Sequence, residues 1–400
     1  MVVLELSSTI FAAKRQTIMM GEFGDIGAML AALKPDEPIY AFRLHEPRVA
    51  AQIFTRKFPG DVLYAVSANP HVEFLRALYV GGIRHFAVAN LSELRAVKNN
   101  FPDALCYCLE PVKSVSAIRE VAHDFGVTHF AADHADELAK IIIHTSPLKP
   151  TVVLRLAMPE EYKSGYVSGK FGCNPAEAAA LMRAAAAEGL GVGLSFHLGS
   201  QILDPAVYRR ALALAGDIVR TTGLQPELID IGGGFPALYR NSRGSSLADY
   251  CDAVRDGIAQ INLHHPAKIM CKSGRALAAA GASLMLKVEL RRGNRLYLND
   301  GIHGGLGELA THGIEPPMRA WRINGGTQLL GAALDDFSFY GPTGDNADYL
   351  KGPFALPSDI RMGDYIEIGQ MGAYSINRRA DFNGLHAARA VIVNDPAFLL

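Results

Sequence analysis

Four hundred residues, 49% hydrophobic and 20% charged, describe a globular chain with a large core and, at this length, two or three domains. A formal net charge of −1 excludes the broad positive field that would favour nucleic acid or an anionic membrane. No apolar run reaches the roughly 18 residues that span a bilayer, the opening MVVLELSSTIFAAKRQ lacks the basic start of a signal peptide, and five cysteines without zinc-type spacing point to a reduced, cytoplasmic protein without a metal site.

In chain order, residues 1–36 precede the alternating region and are expected to add to a β domain formed by the far end of the chain. From 37 to 262, strand-like and helix-like segments alternate. The candidate strands are IYAF (39–42), VLYAV (62–66), HFAVA (85–89), ALCYC (104–108), HFAA (129–132), VVLRLA (152–157), VGLSFHLG (192–199) and ELIDIG (227–232). Stretches rich in Ala, Leu, Glu and Arg, such as PAEAAALMRAAAAEG (175–189), separate most of them. Strands separated by helices pair in parallel through right-handed crossovers. Eight such units in about 220 residues fit a (β/α)8 TIM-like barrel better than an open doubly wound sheet. From 263 to 400 the pattern changes. ALAAAGASLMLKVELRRGNRLYLNDG (276–301) holds long strand runs joined by RRGN, and DDFSFYGPT and DYIEIGQMGAYSI follow with Pro and Gly punctuation. This segment reads as an antiparallel β domain, and the fold class is α/β, a barrel plus that domain.

The strand ends of a barrel carry its chemistry. Ser67 follows one strand, where it is either a nucleophile or a plain turn residue; Arg155 lies within another. His197 and Ser200 close the seventh candidate strand in FHLGSQ, Gly232, Gly233 and Gly234 close the eighth in DIGGGFP, and KIMC runs into Lys272, Ser273, Gly274 and Arg275. Consecutive glycines let backbone N–H groups approach an anion, and an arginine nearby adds paired donors. The alternative is a tight turn that needs positive φ. With HLGS and SGR at neighbouring strand ends, a phosphate site is the better reading. His197 is an acid, a base or a flat face for a ligand ring, or else a satisfied core histidine. Cys271 reads as a small apolar residue, and Lys170, in GYVSGKFG, as a solvated loop lysine.

YAVSANP, GKFG, SFHLGSQ, DIGGGFP, CKSGRAL, YLNDG, GPTGD and GQMGAY occur in one order along residues 37–390. In that order they resemble the motifs of the fold-type III pyridoxal-phosphate decarboxylases, above all the bacterial ornithine/lysine decarboxylases. The resemblance implies a barrel plus β domain, pyridoxal phosphate as cofactor, an amino-acid or amine-like substrate, and a head-to-tail homodimer with shared active sites. It implies that Gly232 to Gly234, Ser200, Arg275 and Tyr374 hold the cofactor phosphate, that His197 stacks on its ring, and that Arg155 and Glu93 complete the pocket. Asp345 and Gly344 match positions supplied by the partner subunit, and Lys170 and Asp348 match a pair that bridges the dimer interface.

The reactive positions depart from the family. Its lysine that forms the Schiff base is Ser67 here, its glutamate at the pyridine nitrogen is Lys272, and its proton-donating cysteine is Gly344. An aspartate of the strand after the lysine motif is Ala87, and the tyrosine of NDGxY is His303. Serine forms no imine, and an ammonium beside the ring nitrogen disfavours the pyridinium. Three functions remain open. One is a repurposed enzyme that binds an amino-acid-derived or phosphorylated small molecule without a Schiff base, using Lys272, His197, Ser67 and His303. Another is a non-catalytic partner that forms a heterodimer with an active decarboxylase. The third is a residual pyridoxal-phosphate decarboxylase.

Overall fold

A computed structural model describes residues 17–162, 169–242, 244–261, 263–380, 382, 383, 385 and 388–398. The chain divides into two compact units, one of Arg48–Ala237 with Ser242–Leu277, the other of Met1–Pro47, Leu238–Asn241 and Ala278–Leu400. The strands in chain order are β1 (Ile18–Phe23), β2 (Ile39–Phe42), β3 (Asp61–Ala65), β4 (His85–Ala87), β5 (Leu105–Tyr107), β6 (His129–Ala132), β7 (Thr151–Arg155), β8 (Gly191–Ser195), β9 (Leu228–Asp230) and β10 (Lys268–Ser273). They continue with β11 (Ala282–Arg292), β12 (Arg295–Leu298), β13 (Met318–Ile323), β14 (Thr327–Leu329), β15 (Leu334–Tyr340), β16 (Tyr349–Pro357), β17 (Tyr365–Ile368) and β18 (Arg389–Val393).

The first unit is a parallel eight-stranded barrel in the order β5-β4-β3-β10-β9-β8-β7-β6. It closes through a parallel bridge from Cys108 to Phe130, in which the Cys108 N–H donates to His129 O at 3.0 Å and the Ala131 N–H to Cys108 O at 2.9 Å. Local signals start the helices between strands. Asn90 caps Leu91–Asn100, and Asn174 with Glu177 forms a capping box ahead of Pro175 at the first turn of Pro175–Ala187. Leu63, Ala87, Tyr107, Leu109, Ala131, Val153, Leu228 and Met270 fill the barrel interior. Side chains alternate along a strand, so the residues two steps on, Asp133, Arg155, Asp230 and Lys272, form the next inward layer at the C-terminal mouth.

The expected strand assignment shifts by one element at each end. IYAF is β2, which pairs with β11 and β18 in the second unit rather than opening the barrel. KIMC belongs to β10, which fills the barrel wall between β9 and β3. The domain boundaries expected at 37 and 262 therefore lie elsewhere. A short run buried on both faces gives the same signal in a barrel wall and in the middle of another sheet.

The second unit is a ten-stranded sheet whose main path runs β1-β18-β2-β11-β12-β15-β16, with β17 joining β11 to β13 and β13 pairing with β14. It is mainly antiparallel, but β1–β18, β18–β2 and β12–β15 are parallel. Ile26, Met29 and Leu30 of the helix Ile26–Leu33 pack with Ile39, Ala41, Met285, Tyr365, Val391 and Val393 as its core. Within it Glu367, fully buried, accepts from Arg43 at 3.0 Å, Arg319 at 2.7 Å, Ser283 at 2.7 Å and Trp321 at 3.1 Å. No helix of the described residues is long and apolar enough to cross a membrane.

The barrel floor carries a polar cluster. His85 Nδ1 and Tyr107 Oη are 2.9 Å apart, Lys268 pairs with Asp61 at 2.8 Å, and the His129 ring lies 4.8 Å from that of Tyr107. Burial first, and Lys268 besides, holds both histidines below their ordinary 6.5, against the opposing pull of Asp61 on His85 and Glu227 on His129. The folded state therefore binds fewer protons than the unfolded chain once the pH drops below 6.5. Their contribution to stability is complete above that pH and is lost as the pH falls through the folded values. Denaturant titrations should show stability declining on acidification by at most about 1.4 kcal/mol per pH unit for each histidine, and the double replacement His85→Gln and His129→Gln should flatten the slope.

Candidate active site

The glycine loop after β9 is shaped by close backbone approach. Gly232 has φ +71° and Gly234 φ +106°. A Cβ on Gly232 would meet Phe196 O at 2.2 Å, one on Gly233 would meet Lys272 O at 2.4 Å, and one on Gly234 would meet Ile202 Cγ1 at 2.6 Å. The loop carbonyls face the walls: Gly232 O accepts from the Lys272 N–H at 2.8 Å, Gly233 O from Tyr208 Oη at 2.9 Å and Gly234 O from the Ile202 N–H at 2.9 Å. The Gly232 N–H donates to Asp230 Oδ1 at 2.9 Å, while those of Gly233 and Gly234 donate to no group among the described residues. Beside them the buried Arg275 donates through Nε to Ser200 Oγ at 3.0 Å. Two open N–H groups, a hydroxyl and a guanidinium make a cradle suited to an anion.

The mouth next to this cradle is charged. His197 Cε1 lies 3.9 Å from where a Gly233 Cβ would be, and its buried Nδ1 has no hydrogen-bond partner among the described residues. Burial, with Arg155 and Lys272 adding like charge, pushes the imidazole down to about 3, so at neutral pH it presents an uncharged flat ring. Burial pushes the Asp230 carboxyl up, against the opposing pull of Lys272, the Gly232 N–H and Arg155. Arg155 is lowered chiefly by burial and stands 5.9 Å from the Phe171 ring. Lys170, exposed, packs on the same ring at 4.7 Å. Glu93 accepts from the Ala89 N–H at 2.8 Å and Asn90 Nδ2 at 3.1 Å, so its carboxylate serves the start of its own helix, and burial is the main cause that raises it. Ser67 sits half-buried on the single turn Val66–Ala68 at the end of β3. The next turn is fixed by Asn69, whose O accepts from Tyr64 Oη at 3.1 Å and whose Oδ1 accepts from the His71 N–H at 3.1 Å.

The second unit gathers the other expected residues. His303 Nε2 lies 2.8 Å from Asp345 Oδ2 and its ring 4.4 Å from that of Phe382. The Ala347 N–H and then His303 hold Asp345 below the usual carboxylate range. A Cβ on Gly344 would meet open space. Tyr374 takes φ +56°. Asp348 lies in the same unit. It is buried, and its carboxylate accepts from the Ile302 N–H at 2.8 Å, the Thr343 N–H at 3.2 Å and Thr343 Oγ1 at 2.6 Å.

A buried cluster here escaped sequence reasoning. Asp300 pairs with Arg379 at 2.5 Å and accepts from the Gly305 N–H at 2.9 Å, and the buried Glu308 pairs with Arg378 at 2.6 Å. Tyr40 Oη lies 2.8 Å from Ser375 Oγ, which donates to Gly305 O at 2.8 Å, one residue after Tyr374. Burial pushes Tyr40 up to about 12. The signals were present as the NDG tripeptide and the adjacent Arg378 and Arg379, but nothing local joins them.

Residues 47–279 match the family model described as the pyridoxal binding domain of pyridoxal-dependent decarboxylases. The chain belongs to the pyridoxal-dependent decarboxylase family, with the barrel and β domain of its fold. It is 28% identical over 379 residues to the lysine/ornithine decarboxylase of Selenomonas ruminantium, covering 92% of this chain and 89% of that protein. Antizyme inhibitor 2 of Xenopus laevis is 27% identical, covering 80% of this chain and 73% of that one. The crystal structure of the Vibrio vulnificus lysine/ornithine decarboxylase complexed with cadaverine superimposes with a TM-score of 0.79 at 26% identity, over 92% of this chain and 98% of that one.

Two substitutions probe the two clusters. Gly233→Ala forces a methyl against the Lys272 carbonyl and should lower the unfolding free energy by about 1–3 kcal/mol while weakening inorganic phosphate binding, both measurable by denaturation and calorimetry. Arg379→Ala leaves Asp300 buried without its cation and should cost about 3–5 kcal/mol in the same denaturation assay.

Proposed function

We propose that this chain is a divergent member of its family, a cytoplasmic enzyme repurposed to act on an amino-acid-derived or phosphorylated small molecule without a covalent link to the protein. The observation that carries this reading is the inward Lys272 beside the neutral His197 ring, with a serine at position 67. Pyridoxal phosphate meets a divided site. Its phosphate suits Gly233, Gly234, Ser200 and Arg275. Its aldehyde meets a hydroxyl at Ser67, which forms no imine, and its ring nitrogen meets the Lys272 cation, which disfavours protonation there. The chain's own residues suit other tasks: the cradle orients an anion, His197 offers a flat face, and the half-buried Arg155 and Lys272 stabilise negative charge. His303, with Asp345, and Tyr374 belong to the β unit, and their part depends on the homodimer that the family resemblance implies.

A second reading is favoured by one observation, the likeness to a protein named as an antizyme inhibitor rather than as a decarboxylase. On that reading the chain is a non-catalytic partner that forms a heterodimer with an active decarboxylase, and it should co-purify with such a paralogue.

The deciding experiment treats the wild type and Ser67→Lys with pyridoxal phosphate, then borohydride, dialysis and intact mass measurement. The wild type should carry no fixed adduct, and Ser67→Lys should gain one together with a new absorbance band. A borohydride-fixed cofactor on the wild type would instead establish a residual pyridoxal-phosphate decarboxylase linked through another lysine, and the proposal would fall.

A further inference from the structure

Three inward groups at the barrel mouth have no hydrogen bond or ion pair among the described residues: the Lys272 ammonium, the Arg155 guanidinium and the buried His197 Nδ1. The two cations are half-buried, where an uncompensated charge is costly. Asp230 acts on both but forms an ion pair with neither among the described residues, and its Oδ1 accepts from the Gly232 N–H at 2.9 Å. Asp133 and Glu110 act on Arg155 as well, again without an ion pair among the described residues, and Asp133 accepts from the Gly172 N–H at 2.8 Å.

We propose that Lys272 and Arg155 form a second anion subsite, so that the mouth takes a small dianion with one acidic group in the glycine cradle and a carboxylate or similar oxyanion on Lys272. This rests on the reading of Gly233, Gly234, Ser200 and Arg275 as an anion anchor. The spacing bounds the ligand. Lys272 and Arg275 are three residues apart, so at about 3.3 Å per residue their backbones are separated by at most about 10 Å. One ring or a short carbon chain spans that distance. The His197 ring lies beside Gly233, within the influence of Arg155 and Lys272, and supplies a flat uncharged face with one open nitrogen. A ligand that carries an ammonium or a protonated ring nitrogen at the Lys272 end meets like charge. Lys272 is thus the residue that sets specificity, by repulsion as much as by attraction.

Calorimetric titration of the full chain with benzyl phosphate, para-carboxybenzyl phosphate and para-aminomethylbenzyl phosphate tests this. In the wild type the carboxylate should bind about tenfold tighter than the unsubstituted ester, and the amine more weakly, as expected for one added charge pair in a partly desolvated site. Lys272→Glu should invert that order, and Lys272→Gln should level it while benzyl phosphate still binds. Lys272→Gln decides the matter if Lys272→Glu fails to fold by circular dichroism. If benzyl phosphate binds but the three esters bind alike in the wild type, or keep the wild-type order in the folded variants, the anchor stands and the second subsite is wrong. If benzyl phosphate itself does not bind, the anchor reading fails and the subsite falls with it.

Discussion

Everything at the barrel mouth depends on how closely the backbone after β9 approaches its neighbours. A Cβ on Gly232 or Gly233 would collide with the carbonyl oxygen of Phe196 or Lys272, and the Lys272 N–H donates a hydrogen bond to Gly232 O. That contact seals the loop between β8 and β10. The loop carbonyls are taken up by the walls, and the Gly233 and Gly234 N–H groups donate to no group among the described residues. The contact also fixes the phase of β10, so that Met270 and Lys272 point inward while Cys271 is buried on the other side. The Lys272 side chain is placed by the same packing that shapes the glycine loop.

Much of this was legible in the sequence, and the failures have physical causes. The glycine run and the strand ends at Arg155, His197 and Lys272 were readable because barrels place ligand groups at the C-terminal ends of strands and glycine runs have few other uses. The exchange of IYAF for KIMC was not, because both are short buried runs and only long-range register separates them. The internal hydrogen bonds of Asp348 were hidden for a similar reason. A motif fixes its place in the chain, but the direction of its carboxylate depends on Ile302 and Thr343, which come from different turns. Asp300 with Arg379, and Tyr40 with Ser375, are tertiary pairs with no local signature at all.

The two units treat buried charge differently. In the sheet unit, Glu367 is fully buried yet surrounded by donors from Arg43, Arg319, Ser283 and Trp321, and Asp300 and Glu308 each hold an arginine. Such pairs fix geometry once both partners are present. At the barrel mouth Lys272 and Arg155 make no ion pair among the described residues, although Asp230 acts on both and Asp133 and Glu110 act on Arg155.

The sheet order has a consequence for how the chain is made. β18 lies between β1 and β2, and Arg43 meets Asp395, 352 positions later, across that junction. On the ribosome, β1 and β2 emerge early and stay without the strand that joins them until nearly everything between has been synthesised. The barrel segment, with its contacts formed between successive units, can organise during that interval, while the sheet waits with unpaired edges. The sheet unit is therefore the last to close and the most exposed to wrong pairing in a nascent chain, and its completion is timed by translation of β18 rather than by its own local folding.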